Sequence, residues 1–366
     1  MDFTLSSEQA ALRESVERFI ERDYGWEQRH AVISSTDGLS SAHWGMFAEL
    51  GWLGAGLAEE VGGFGGGAVE NAILLESFGR GLVVEPMVAH IVAANVLARS
   101  NAARAAELLR EMIMGERRVV LAHGEGMRDS LTATQTRFAG QRISGRTTMV
   151  EGAGGGDMLI VSAIGDDGVL ALYLVDPASP GVSVRRYRTI DNHRAADIVF
   201  DAASPVCALT FDGDAGAVLS VALDQGIVAL CAEAVGSMEA ALMMTRDYLQ
   251  TRKQFGVAIG SFQALQHRMA DMLIDTEMAR SILYHALGAM EDDTATRRSA
   301  VAAAKALIGP AGVRVAAGAI QLHGGIGMSE EYAVGHFYKR LYAIERLWGD
   351  SALHLESFAT RADVRL

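Results

Sequence analysis

The residues with the clearest chemical possibilities lie in two C-terminal segments, RKQFG at 252–256 and QLHGGIG at 321–327. A guanidinium such as Arg252 supplies paired donors that match phosphate oxygens. Phe255 offers a flat apolar surface, and the amides of Gln263 and Gln321 can both donate and accept hydrogen bonds. Gly324 and Gly325 let backbone N–H groups approach a phosphate with no Cβ in the way. Singly these types are weak: an isolated Arg is more often a solvated helix residue, and Gly-Gly is usually a turn. Gln263 and Gln266 also fit an ordinary polar helix face. A second glycine run, GGFGGG at 62–67, lacks the GK[ST] of a P-loop and reads as a plain loop.

The rest of the composition narrows the field. The chain has 366 residues, half of them apolar, enough for two or three packed units. A net charge of −13 argues against a nucleic-acid partner. Lysine is scarce, at 253, 305 and 339 only. Cys207 and Cys231 form neither a disulfide framework nor a metal-ligand pattern, so no metal is expected and a reducing compartment is the default. The N-terminal stretch is charged throughout and lacks a signal-peptide core. No uninterrupted apolar run reaches the ~18 residues of a membrane span. The expectation is a soluble, cytoplasmic protein.

Elements must position those motifs. Ser6 and Gln9 fit a capping box, followed by Leu12, Val16, Phe19 and Ile20 on one helical face. Further helices are expected near 42–50, 69–80, 86–99 and 102–114. Short β-prone runs follow at 118–122, 158–163, 169–175, 181–185 and 196–200, with Asp166-Asp167-Gly168 as a hairpin signal. Long helical patterns return over 216–250 and 262–290. An alanine-rich stretch at 295–320 reads as interrupted by Gly309-Pro310, and helices follow over 329–345 and after Gly349. The expected class is α+β, mainly α: an N-terminal helical domain (1–115), a middle β-barrel-like domain (116–212) and a C-terminal four-helix bundle (213–366).

That order, with its motifs, resembles the acyl-CoA dehydrogenases along essentially the whole chain. ELGWLGAGLAEEVGGFGGG at 49–67 is similar to the family's "elG-l-g…PEeyGG-G", with Ala58 in place of the usual Pro. YLQTRKQFGVAIGSFQALQHRMADM at 248–272 resembles "R-x-x-FG-x-x-I-x-x-FQ-x-x-Q…LADM", and QLHGGIGMSEEY at 321–332 resembles "Q-x-hGG-G". Within the family the chain is similar to pimeloyl-CoA dehydrogenase small subunits and actinobacterial steroid side-chain dehydrogenases. The resemblance implies FAD as cofactor and an acyl-CoA thioester as substrate, its acyl group dicarboxylic or bulky. It also implies an electron-transfer flavoprotein or similar acceptor. Arg252, Phe255, Gln263, Gln321, Gly324 and Gly325 would reach FAD held by a neighbouring subunit, in a homotetramer or in a heterotetramer with a homologous partner.

The chain departs from the family where the chemistry is done. Members use a Glu to remove the α-proton, in a segment "Y-R-D…I-x-E-G-T". Counting from Tyr338-Lys339-Arg340 puts Trp348 at that Glu, Gly349 at the Gly and Asp350 at the Thr. A subgroup carries its Glu before the RKQFG segment, where Gly226 stands. The flavin-facing "TEP-x-x-GSD" corresponds to GEGMRDS at 124–130, and "W-I-T" to Met149-Val150-Glu151, an unpaired carboxylate replacing a hydroxyl. The reading is a subunit that lacks its own base. One alternative is a self-sufficient enzyme with a displaced base, Asp350, which equally fits a helix cap ahead of Leu353 and His354. Glu345 and Glu356 read as helix-surface residues, and Asp224 as an Arg partner. A non-catalytic structural partner, or a flavin-dependent monooxygenase or oxidase on the same fold, completes the alternatives.

Overall fold

The computed structural model describes residues 4–124, 134–153 and 158–361. Six α-helices come first: α1 (Ser7–Asp23), α2 (Trp26–Ser34), α3 (Ser41–Glu49), α4 (Ala68–Gly81), α5 (Met87–Leu97) and α6 (Ala103–Ile113). Eight strands follow: β1 (Val119–Ala122), β2 (Arg137–Ala139), β3 (Arg142–Glu151), β4 (Met158–Gly165), β5 (Leu170–Val175), β6 (Val182–Arg188), β7 (Arg194–Ala203) and β8 (Cys207–Leu209). Then come α7 (Ala215–Thr251), a hairpin of β9 (Lys253–Gln254) and β10 (Val257–Ala258), α8 (Gln263–Gly288), α9 (Thr294–His323), α10 (Ala333–Arg346) and α11 (Ser351–Arg361).

Local chemistry explains most boundaries. The Ser6 hydroxyl accepts the Gln9 N–H while the Gln9 side chain accepts the Ser6 N–H, so the capping box starts α1 as expected. Asp166-Asp167-Gly168 closes β4 onto β5, with Gly165 N–H donating to Val169 O at 2.9 Å. Two expectations fail. The Gly309-Pro310 pair does not interrupt the alanine-rich stretch, because α9 runs unbroken through Pro310. A buried Ala-rich helix packed against α8, α10 and α11 tolerates the one lost backbone bond. Strand β3 also escapes the apolar-run criterion. Its outward positions Arg142, Ser144 and Arg146 are exposed, and only Ile143, Thr147 and Val150 face inward.

The described chain forms two compact units that cut across the sequential order. One combines residues up to His30, Ala72–Val83 and the chain from Ile227; the other combines Ala31–Asn71 and Val84–Gly226. In the second unit a mixed eight-stranded sheet runs β6-β7-β3-β2-β4-β5-β8, with β1 parallel to β4. Its core of Ile143, Val161, Ile198 and Phe200 is almost fully buried. Helix α5 packs on β1 and is buried along its whole length.

In the first unit α4 and α7 cross at backbone contact. A Cβ on Gly236 would lie 1.8 Å from Glu76 O, and the Ser237 hydroxyl donates to Gly79 O at 3.0 Å. An ion network binds the same crossing. Arg80 reaches Glu17, Glu76 and Glu239, and Arg280 reaches Glu76 and Glu239, all within 2.5–3.3 Å. Helix α10 is pinned to α7 by a fork-to-fork pair, Arg340 to Glu233 at 2.5 and 2.7 Å, each side chain 3% exposed. Helices α7 and α9 are long and apolar enough to cross a membrane by length and composition. Their apolar stretches are mostly buried inside the fold, as in core helices.

Candidate functional site

The RKQFG segment is built at the end of α7. Arg252 N–H still donates to Tyr248 O, at 2.8 Å, and Arg252 O accepts the Ile259 N–H at 2.9 Å, closing the hairpin. With Gln254 paired to Val257, the turn consists of Phe255 (φ 53°) and Gly256 (φ 82°), both left-handed. A two-residue turn with both φ values positive normally takes Asn, Asp or Gly. Here an aromatic residue occupies it and is 91% exposed. Its only ring contact among the described residues is an edge-on approach to Phe262, 6.1 Å between centroids. The described residues thus leave a strained aromatic turn facing outward. Arg252 and Gln263, the first residue of α8, are exposed on the same segment.

The QLHGGIG segment ends α9. Gln321 is exposed in the last turn, and Gly324 (φ 66°, ψ −140°) adopts a conformation open only to glycine. Gly325 has no positive φ, and an added Cβ would meet no atom within 4 Å. The chain's own packing does not demand glycine there, whereas a closely approaching phosphate or partner backbone would. His323 joins the two segments: its ring stacks on Tyr248 at 4.5 Å and lies 5.2 Å from Tyr332. His323 is 3% exposed, its Nδ1–H donates to Ala319 O at 2.8 Å, and burial lowers its pKa, favouring the neutral ring. Tyr248 lies one turn before Arg252, so this stack sets both motifs at one end of the bundle. Sequence reading missed Tyr248 and His323, although both lie inside the quoted motifs; their pairing is a tertiary contact.

Neither expected base position carries a carboxylate. Gly226 is buried within α7. Trp348 is half-buried with φ 57°, followed by Gly349 at φ 92°. Asp350 is half-buried, and its Oδ1 accepts the Leu353 N–H at 3.0 Å, the bond of a helix cap. Glu345 corrects the expectation of a surface residue: it is 9% exposed, and its Oε1 accepts from Ser351 N–H and Oγ at 3.2 and 2.8 Å. It fits because a Cβ at position 309 would fall 1.9 Å from its Oε2, space that Gly309 leaves free. Glu356 is exposed, as expected. Lys305 was not singled out from sequence. It is fully buried, donating from Nζ to Gly349 O at 2.7 Å and Glu345 O at 3.1 Å, and burial pulls its pKa down. The nearby Cys231 thiol is pushed up to about 12 by burial, which favours its protonated form at neutral pH.

Residues 125–130 of the GEGMRDS segment lie outside the described residues. The other segment, Met149-Val150-Glu151, is described and corrects one expectation. The Glu151 carboxylate is tucked in, 9% exposed, 3.9 Å from His193 Nδ1, rather than standing unpaired. Just before it, Met149 (φ 54°) sits where the β3–β7 register shifts, its N–H bonded to Asp197 Oδ1 at 3.3 Å. No cluster of metal-ligating side chains exists among the described residues.

Two buried imidazoles give the fold an acid limit. His90, donating to Leu53 O, and His354, donating to Trp348 O, are both held down to about 4, chiefly by burial. The ordinary value is 6.5, so below it the unfolded chain takes up protons that the fold refuses. Stability is therefore expected to fall as pH drops from 6.5 and to level off below 4, costing up to about 3 kcal/mol per histidine. Urea melts at pH 7, 5.5 and 4.5 should show it, and an unchanged midpoint would contradict it.

Residues 6–116 match the N-terminal domain of acyl-CoA dehydrogenases, and residues 215–362 match their C-terminal domain. A steroid acyl-CoA dehydrogenase, a single-substitution variant of Tcur3481-Tcur3483, superposes with a TM-score of 0.90 at 31% identity, 98% of each chain covered. The ChsE4–ChsE5 complex of Mycobacterium tuberculosis gives 0.89 at 26% identity over 100% of both chains. PigA with FAD and proline gives 0.89 at 25%, again over 100% of both.

Proposed function

The chain belongs to the acyl-CoA dehydrogenase family, FAD-dependent oxidoreductases of CH–CH bonds, and from that premise we propose that it is a subunit lacking its own base. In this reading a homologous partner supplies the Glu and the flavin ring pocket. This chain completes the dinucleotide site through Arg252, Phe255, Gln263, Gln321, Gly324 and Gly325. The observation that carries it is the contrast between the two ends of the motif set. Phe255 is held left-handed and 91% exposed, while Trp348 and Gly226 occupy the two base positions. The neighbour named as a ChsE4–ChsE5 complex supports a mixed assembly.

The residues present suit FAD. Arg252 would pair with the pyrophosphate, the Gly324-Gly325 backbone would approach it, and Phe255 would cover a flat surface. FAD, when bound, supplies the hydride-accepting ring. This chain's part is binding, orientation and exclusion of water. The substrate is an acyl-CoA, and the steroid enzyme among the neighbours favours a bulky acyl group. An electron-transfer flavoprotein or similar acceptor would reoxidise the complex, in the cytoplasm.

A second reading is a self-sufficient homotetramer with Asp350 as a displaced base. Its position beside Gly349 and its attraction to Lys305 favour it, while the cap bond to Leu353 occupies one of its oxygens. Co-expression with homologous chains that carry the family's Glu separates the readings. Acyl-CoA-dependent dye reduction should appear only in a mixed assembly and survive Asp350→Asn. Full turnover by this chain alone, lost in Asp350→Asn, would establish the second reading.

A further inference from the structure

A pocket lies under the WLGAGL turn at 52–57, bounded by that turn, the start of α4 and one side of α5. Leu57, Ile91 and Ala94 supply apolar wall, and three polar side chains, Asn71, His90 and Asn95, line it as well. All six residues are 6% exposed or less. Polar groups buried this deeply cost free energy unless each finds a hydrogen-bond partner.

The chain itself does not provide them all. His90 donates from Nε2–H to Leu53 O at 2.8 Å, so Nδ1 carries the lone pair of a neutral ring. That Nδ1 is fully buried and has no partner among the described residues. Trp44 meets the ring edge-on, 5.5 Å between centroids, and helps fix its plane. The Asn71 side-chain amide makes no hydrogen bond among the described residues either. Asn95 is partly used: Nδ2 donates to Ile91 O at 2.9 Å, and Oδ1 accepts from Arg99 Nη1 at 2.8 Å with one lone pair to spare. A glycine specifies where the Asn71 amide lies. A Cβ on Gly56 would fall 2.2 Å from Asn71 Nδ2 and 2.3 Å from its Oδ1. Gly56 has no positive φ, so it serves for space and not for backbone conformation.

The unmet chemistry is definite. His90 Nδ1 requires a donated hydrogen, Asn95 Oδ1 can accept another, and Asn71 offers an N–H donor. No carboxylate lines the pocket to compensate a cation, and no guanidinium or ammonium lines it to hold an anion. A neutral molecule that donates two hydrogens and accepts one satisfies all three side chains, and the space suits a molecule the size of water.

We propose that this pocket is the site of one resident water, held by His90 Nδ1, Asn71 and Asn95 Oδ1. The water completes a hydrogen-bonded chain from Leu53 O on the turn, through the imidazole, to the first turn of α4. Gly56 takes part by leaving room for the Asn71 amide. The site is separate from the flavin motifs and stands whether or not the chain lacks its own base.

The test is a crystal structure of the purified chain, in whatever assembly it forms, at a resolution where waters are ordered. The expected result is a single ordered oxygen at about 2.7–3.2 Å from His90 Nδ1 and from a side-chain atom of Asn71 or Asn95. Asn71→Leu keeps the branched shape and removes the hydrogen bonds. It should lose or displace that oxygen and lower Tm by about 2–4 °C. An empty pocket in the parent would overturn the inference. Density for a bulkier molecule would do the same, as would a Tm in Asn71→Leu at or above the parent's. Should Asn71→Leu fail to fold, the density in the parent decides alone.

Discussion

Replacing Arg252 by Ala is expected to strip flavin from the assembly without disturbing the fold. Arg252 is exposed, so its loss opens no cavity and leaves no buried partner. A charge-assisted pair to a phosphate contributes about 1.5–3 kcal/mol, or roughly a 10- to 150-fold loss of FAD affinity. Arg252→Lys keeps the charge but loses the fork, so it should recover only part of that affinity. Flavin content after gel filtration, beside an unchanged thermal midpoint, checks the result. Arg252→Ala with full flavin retention would remove the residue from the cofactor site.

The second large effect is on stability. Arg340→Ala removes one side of a pair in which both side chains are 3% exposed, leaving the Glu233 carboxylate buried and uncompensated. Such a loss costs about 3–5 kcal/mol, a large fraction of a domain's net stability. Because Arg340 lies on α10 and Glu233 on α7, the damage should spread to the bundle end that carries both motifs. The double variant Arg340→Met with Glu233→Leu is expected to recover most of the loss, since a packed apolar pair replaces a buried ionic one. Urea unfolding of the three proteins measures this directly. A single variant as stable as the parent would show that the pair contributes nothing.

The legible parts of this molecule are those with local causes. A capping box, a turn dipeptide with glycine and a helical apolar face are properties of adjacent residues, and α1, the β4–β5 hairpin and the long C-terminal helices follow from them. The motifs were legible for a related reason, since Arg252, Phe255 and Gln321 face outward and answer to no core constraint. What stayed hidden depends on distant neighbours. Pro310 inside α9 reads as a break until the packing of α8, α10 and α11 around it is known. Strand β3 hides behind its arginines. Glu345 looks like a surface acid because its concavity is made by Gly309, on another helix. Lys305 and the Tyr248–His323 stack are contacts across the bundle, and no spacing rule finds them. The Trp348 position was readable from sequence, but its strain and its tethers were not.

The central claim, that this chain shares a flavin site which it does not complete alone, is tested most directly by flavin absorbance per chain. The measurement is made on the purified chain by itself and again after co-expression with a homologous partner that carries the family's Glu. The expected result is little flavin on the chain alone and one flavin for each pair of unlike chains in the mixed assembly. One flavin per chain in a homotetramer that turns over acyl-CoA unaided would contradict it.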